Sequence, residues 1–226
     1  MMNVIIRTNL MEKLSSTIED YLSLIFVLER DNEPVVGARL AELLGVTPPT
    51  VTNTLKRMVR DGLLLSDKKG TRLTRLGRTS AQTVTRRHML TEWLMVNRLP
   101  WSRLHGEAHN LEHAISEETE SALLAELGHP ATCPHGNPLP GREDAVAAWV
   151  PLTALPAGAQ VTIRRIHELA EQNHELMAFL EARSILPGVR ARVTEVLPFN
   201  QTLTLEVDGL PSTLGFAAAR HIFAER

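Results

Sequence analysis

The stretch GARLAELLGVTPPTVTNTLKRMVRDG, residues 37–62, decides the reading of the fold. Leu40, Leu43 and Leu44 share one helical face, and Gly45 is a natural helix stop. Thr47 then reads as an N-cap, with Pro48 and Pro49 in a first turn where missing N–H groups cost little. The helix that follows keeps Val51, Leu55, Met58 and Val59 on its apolar face. Its other face shows Thr50, Thr52, Asn53, Lys56, Arg57 and Arg60. LLLSDKKGTRLT, residues 63–74, reads as two short strands about a basic turn. Two helices joined by a tight turn and followed by a basic hairpin make a winged helix-turn-helix.

Outward from that segment, the spacing predicts a helix over residues 14–30, with Leu14, Ile18, Tyr21, Leu22, Ile25 and Leu28 on one face. Further helices are expected over about 75–97, 101–113 and 116–127. Residues 128–148 are rich in Pro and Gly and read as an ordered loop or linker. Beyond 149 the texture changes to β-branched and alternating runs at 159–166, 190–196 and 202–207, with a helical stretch at 172–183. The expected architecture is mainly α. A winged helix-turn-helix (1–74) precedes a helical domain with its linker (75–148). A small β-barrel (149–226) follows. Trp93, Leu94, Leu111 and Ile115 are candidates for core or an interface.

Composition narrows the function. The 226 residues carry a formal net charge of −2, but 37–90 hold eleven Lys/Arg against three Asp/Glu. That segment is about +8 and the remainder about −10, so one domain suits a polyanion. Thr47, Pro49, Thr50, Thr52 and Asn53 stand where the second helix of a helix-turn-helix meets base edges. Lys56, Arg57 and Arg60 lie further along that helix, facing phosphates, and Lys68, Lys69 and Arg72 lie on the wing. One cysteine, Cys133, excludes a disulfide framework and a multi-thiolate zinc site. No apolar run approaches the roughly 20 residues needed to span a bilayer. The opening MMNVIIRTNL has too short an apolar core for a secretory signal. A cytoplasmic protein is the expectation.

The chemistry-bearing pattern is a His/Glu stripe. His105, His109, Glu112 and His113 fall at i, i+4, i+7 and i+8, and His88 and Glu92 pair at i, i+4 on the preceding helix. Asp20 lies on the first helix. Residues 105–130 hold six Glu and no Lys or Arg, a cluster that is costly to assemble unless a metal neutralises it. Imidazole and carboxylate mixtures suit Mn, Fe, Co, Ni and Zn. No HExxH, GxSxG or Gly-rich phosphate loop is present, so an enzyme is not expected. CPHGNPLPG, residues 133–141, reads as a structural turn, because C-x-H spacing without a second cluster is a weak metal signal.

Together STIEDYLSLIFVLE (16–29), PPTVTNTLKRMVRDGLL (48–64), LTRLGRTSA (73–81), RRHMLTEWL (86–94), HGEAHNLEHAISEE (105–118) and CPHGNPLPG resemble the diphtheria toxin repressor family, which includes manganese transport regulators. The resemblance implies a metal-activated transcriptional regulator that represses metal-uptake genes, with residues 1–74 as its DNA-binding domain, 75–148 as a helical dimerisation and metal-binding domain and 149–226 as an SH3-like domain. It would be a homodimer on near-palindromic double-stranded DNA, with no membrane partner. It also implies a primary metal site of Asp20, His109, Glu112 and His113 and an ancillary site of His88, Glu92 and His105. Gln172 and Glu175 of the SH3-like domain stand at about the place of two further ligands, with Glu171 as the alternative. Iron-sensing members carry Met and Cys where this chain has Asp20 and His109, and manganese-sensing members carry Asp and Glu. The hard donor set points to Mn2+, with Fe2+ next, and Zn2+, Co2+, Ni2+ or Cd2+ able to occupy the sites in vitro. The rival reading is a metal-independent winged-helix regulator that answers to another ligand.

Overall fold

The computed structural model describes residues 14–67 and 70–226. Lys68 and Lys69 of the expected wing, and the opening segment read for a secretory signal, lie outside the described residues. The chain divides at Thr85/Arg86 into an N-terminal and a C-terminal compact unit. Residues 86–148 pack with the C-terminal sheet as one compact unit.

The N-terminal unit opens with α1 (Ser16–Arg30), which buries Ile18, Tyr21, Leu22, Ile25 and Leu28. It stops at Asn32, whose φ of 57° is one that Asn tolerates better than most residues. Helices α2 (Gly37–Leu43) and α3 (Pro48–Arg60) form the helix-turn-helix. Thr47 Oγ1 accepts from Thr50 N at 3.4 Å, the expected cap, and Val51 and Met58 are buried. Strands β1 (Leu64–Asp67) and β2 (Gly70–Leu73) pair antiparallel in the register Leu64↔Leu73 to Asp67↔Gly70. Glu29 ties this unit together. One carboxylate oxygen accepts Leu73 N at 2.7 Å and the other accepts Arg78 at 2.5 Å. The start of α4 (Arg75–Met95) closes the unit, with Thr74 Oγ1 accepting from Gly77 N at 3.0 Å. A Cβ on Gly77 would stand 2.0 Å from the Leu63 carbonyl oxygen, so only glycine lets α4 approach the wing this closely.

The C-terminal unit takes up the second half of α4. A 3-10 turn (Trp101–Arg103) leads into α5 (Leu104–Leu111), a second 3-10 turn (Glu112–Ala114) and α6 (Glu117–Glu126). Glu120 of α6 receives Arg86 at 2.7 Å and Arg87 at 2.9 Å from α4. The predicted single helix over 101–113 is therefore broken at both ends. Its C-terminus tightens to 3-10 bonding, a common way to satisfy the last carbonyls before the extended Ile115. Of the apolar candidates, Trp93 donates to the Thr132 carbonyl at 2.9 Å, Leu94 packs on buried Met89 and Leu90, and Leu111 is exposed.

The remainder is SH3-like. Strands β3 (Val150–Pro151), β4 (Gln160–Ile166), β5 (Arg190–Leu197), β6 (Thr202–Val207), β7 (Leu210–Gly215) and β8 (Ile222–Glu225) form an antiparallel sheet in the order β3-β8-β4-β5-β6-β7. The sequence patterns at 159–166, 190–196 and 202–207 found β4, β5 and β6. Strands β3 and β8 are too short to show a period. Between β4 and β5 lie α7 (Glu168–Glu171) and α8 (His174–Ala182), and α9 (Phe216–Ala219) precedes β8. Ile163, Ile166, Met177, Leu180, Val193, Leu205 and Ile222 form one core, against which Trp101 also packs.

Residues 132–138 lie directly on β4. Ile166 N donates to the His135 carbonyl at 2.8 Å, and Thr132 bridges Pro138. Gly136 has φ +88°, and a Cβ there would fall 1.9 Å from the Arg164 carbonyl oxygen. Gly77→Ala and Gly136→Ala are expected to destabilise by about 1–3 kcal/mol each or more. Thermal unfolding of the full-length variants measures this, and an unchanged midpoint for either would contradict the close approach.

Candidate metal centre and nucleic-acid interface

On the helix-turn-helix, Thr47, Pro49, Thr50, Thr52, Asn53, Lys56, Arg57 and Arg60 lie at the surface. Thr50 is engaged locally by Thr47, and Thr52 Oγ1 donates to the Pro48 carbonyl at 3.0 Å. Asn53 and Lys56 therefore point outward with the least local commitment. Arg57 and Arg60 share Asp61, and Arg72 pairs with Asp67 at 2.8 Å. Exposed pairs of this kind contribute little and can be exchanged for phosphate.

His88, Glu92 and His105 of the expected ancillary set gather in one place, joined by Glu171 and not by Gln172 or Glu175. His88 and Glu92, one turn apart on α4, stand 3.3 Å apart (Nε2 to Oε1). His105, in the first turn of α5, places Nδ1 3.0 Å from His88 Nε2. The fourth member is Glu171, whose Oε2 lies 2.8 Å from His105 Nδ1. Gln172 and Glu175 are exposed, and Glu175 belongs to none of the groups of His, Cys, Asp and Glu donors among the described residues. The short helix α7 ends at Glu171 and turns that residue inward, leaving the next positions outside.

Cys133 and His135 do more than shape a turn. The backbone there is a turn, with Gly136 N donating to the Cys133 carbonyl, but both side chains are buried beside Glu92 and Glu171. His135 Nδ1 is 3.1 Å from Glu92 Oε1 and 3.6 Å from Glu171 Oε1. Sequence reading misses this second set because nothing in local periodicity links α4, a Pro/Gly turn and α7. The C-x-H spacing is its only signal.

The implied metal fits these residues. Each set of four donor atoms lies within 4.8 Å of one another, and both sets mix imidazole with carboxylate. Glu92 is fully buried, and its Oε2 accepts no hydrogen bond. An orphaned carboxylate oxygen of this kind is costly without a cation. Supporting contacts orient the donors. His135 Nε2 faces the Trp101 carbonyl at 3.2 Å, which turns Nδ1 toward the carboxylates. Asn137 donates to Glu171 Oε1 at 2.5 Å and to the Ile166 carbonyl, and accepts from Arg165. Glu181 of α8 receives Trp101 N at 2.8 Å and the Ser102 hydroxyl at 2.6 Å, holding the chain that leads into α5.

His109, Glu112 and His113 also come together. Glu112 Oε1 is 3.4 Å from His109 Nδ1 and 3.5 Å from His113 Nε2, and its Oε2 contacts His88. Asp20, the fourth residue of the expected primary set, is on α1 of the N-terminal unit.

Without metal, protons balance these carboxylates. Burial lowers the His135 pKa, but the charges of Glu171 and Glu92 outweigh it and push the imidazole up to about 9. Burial likewise opposes His88, yet Glu112 and Glu92 hold it well above the ordinary range. For Glu112, burial raises the carboxyl while hydrogen bonds from His109 and His88 bring it down to about 2. Burial, then the charges of Glu92 and Glu171, pushes the Cys133 thiol up, so a metal must displace its proton.

A histidine raised from 6.5 to about 9 contributes stability that is complete below 6.5 and lost as pH rises through 9. The metal-stripped protein should therefore lose thermal stability across that window, and His135→Gln should flatten the loss. Metal affinity should rise over the same window by roughly tenfold per pH unit for each displaced proton. Calorimetry in buffers of different ionisation enthalpy reads the proton count, and pH-independent binding would contradict it. Glu181→Ala, which orphans the Trp101 and Ser102 donors, should cost about 1–3 kcal/mol in thermal unfolding.

Comparison with known proteins identifies the family. Residues 13–71 match the family described as iron dependent repressor, N-terminal DNA binding domain. Residues 74–141 match the iron dependent repressor metal binding and dimerisation domain, and 150–226 match the FeoA domain. The chain is 36% identical to the iron-dependent repressor IdeR of Mycobacterium leprae over 217 residues, covering 86% of this chain and 94% of that one. It is 35% identical to the diphtheria toxin repressor of Corynebacterium jeikeium over 204 residues, covering 79% and 85%. A manganese-dependent transcriptional repressor in complex with manganese superposes with a TM-score of 0.79 at 29% identity, over 92% of this chain and 98% of that one. ScaR with bound Zn2+ gives 0.77 at 29% identity, over 92% and 99%. These relatives are repressors, not enzymes. The chain belongs to the iron-dependent repressor family: it is a metal-dependent transcriptional repressor with a DNA-binding domain, a metal-binding dimerisation domain and a C-terminal FeoA domain.

Proposed function

We propose that the protein is a manganese-responsive repressor of metal-uptake genes, acting as a homodimer in the cytoplasm on near-palindromic DNA. The observation that carries the choice of metal is the donor chemistry of His109, Glu112 and His113, which offer only imidazole nitrogen and carboxylate oxygen. With Asp20 the primary set is two carboxylates and two imidazoles, harder than a thioether–thiolate site and suited to Mn2+ before Fe2+. Zn2+, Co2+, Ni2+ and Cd2+ would bind in vitro, and free-metal levels in the cell would select the physiological ion. His88, Glu92, His105 and Glu171 form the ancillary site in this reading.

Asp20 comes from the helix that precedes the helix-turn-helix, and His109, Glu112 and His113 come from the dimerisation domain. A metal joining them would fix each reading head relative to the dimer, so that half-site spacing matches the DNA helical repeat. Metal then favours one arrangement by its differential affinity for it. In that arrangement Asn53 reads a base edge and Lys56 a phosphate.

The test is binding of genomic fragments by metal-stripped protein at fixed salt, with Mn2+, Fe2+ and Zn2+ titrated separately. Mn2+ should tighten binding by about 10–100-fold, and Asp20→Ala or His113→Ala should abolish that gain. Equal binding with and without metal would overturn the mechanism. Asn53→Ala should relax sequence preference, by about 1–3 kcal/mol at one position, whereas Lys56→Ala should weaken all sequences alike and lower the salt slope by about 1.

A further inference from the structure

The two four-donor sets are not separate. His88, Glu92, His105 and Glu171 form one; Glu92, Cys133, His135 and Glu171 form the other, so both carboxylates belong to both. We propose that Glu92 and Glu171 bridge two divalent metal ions, one held by His88 and His105 and the other by Cys133 and His135. The proposal rests on the reading of the His88 set as a metal site and extends it to a dinuclear centre.

The division of oxygen atoms carries the argument. Glu171 presents Oε2 to His105 Nδ1 at 2.8 Å and Oε1 to His135 Nδ1 at 3.6 Å, one oxygen toward each imidazole group. Glu92 Oε1 stands within reach of three imidazoles, at 3.3 Å from His88, 3.1 Å from His135 and 3.9 Å from His105. Its second oxygen, buried and without a hydrogen-bond partner, remains to be satisfied. Glu171 offers one oxygen to each donor group and Glu92 Oε1 stands between both, the arrangement bridging carboxylates need; paired metal sites place their ions about 3.5–4 Å apart.

Charge points the same way. Glu92, Glu171 and a metal-bound Cys133 thiolate make three buried anions. One divalent ion leaves them net negative, whereas two exceed their charge by one. The donors gather as two sets of four rather than one set of six, so one ion does not reach all of them. The His88 side offers nitrogen and oxygen alone, while the Cys133 side adds sulfur and favours a softer ion. The shared carboxylates make occupancy of one side condition the other.

The test uses the full chain carrying His109→Ala and His113→Ala, metal-stripped and reduced, with Co2+ as probe under anaerobic conditions. Metal per chain is read by equilibrium dialysis with elemental analysis. Thiolate ligation is read by the near-ultraviolet sulfur-to-cobalt charge-transfer band, and bridging by magnetic coupling between the two ions. The expected result is two Co2+ per chain, coupled, with the band present. His105→Ala should remove one ion and keep the band, Cys133→Ser should remove the band and keep one ion, and the isosteric Glu92→Gln should lose both. Circular dichroism confirms that each variant is folded. A single Co2+ per chain, with or without the band, would overturn the dinuclear centre while leaving metal binding at these residues intact. Two uncoupled ions, or a Glu92→Gln protein that keeps one ion at full affinity, would overturn the bridge. Retention of no Co2+ would overturn the ancillary site itself.

Discussion

A fully buried carboxylate, Glu92, is the constraint on which the C-terminal unit turns. An ionised carboxylate without solvent is tolerated only where positive charge is supplied. Here three histidines from three different segments supply it: His88 from the same helix, His105 from α5 and His135 from the Pro/Gly turn. Without metal, raised imidazole pKa values at His88 and His135 provide the counter-charge. In the proposed centre the same donors would serve as ligands, so proton and metal would compete for one set of groups.

That coupling extends to the SH3-like sheet. Glu171 reaches the donors from α7, and Asn137 and Arg165 hold it in place through a chain of hydrogen bonds. Glu181 of α8 fastens the backbone before α5, and Gly136 lets the turn lie flat on β4. The FeoA domain therefore meets the candidate metal centre through one donor and through the supports of others. These polar contacts add to the packing of Trp101 on the apolar core of the sheet.

The N-terminal unit is legible in one dimension because its determinants are local. The Thr47 cap, the two prolines behind it and the apolar face of α3 are all within a few residues of one another; the structure has the cap and the prolines and buries Val51 and Met58 of that face, while Val59 is exposed. The same holds for the His88–Glu92 pair, whose members share a helix face at i, i+4. Spacing misleads where the backbone changes course or a contact spans many residues. The interval from His105 to His113 suggests one continuous helical stripe, yet the chain leaves the α-helix at Glu112 to satisfy its last carbonyls. Gln172 and Glu175 have plausible positions, but only the end of α7 decides that Glu171 faces inward.

Sequence alone thus determined the helix-turn-helix and its exposed polar face, the candidate histidines and the carboxylate-rich composition that calls for a cation. These follow from periodicity, capping and charge, which act over one or two helical turns. Tertiary structure decided that Cys133, His135 and Glu171 join Glu92, and that two donor sets share two carboxylates. The physical reason is that ligand convergence joins segments that meet only on folding, His135 lying 43 residues from Glu92 and Glu171 further still, and no short-range pattern records which of their side chains face the same buried volume.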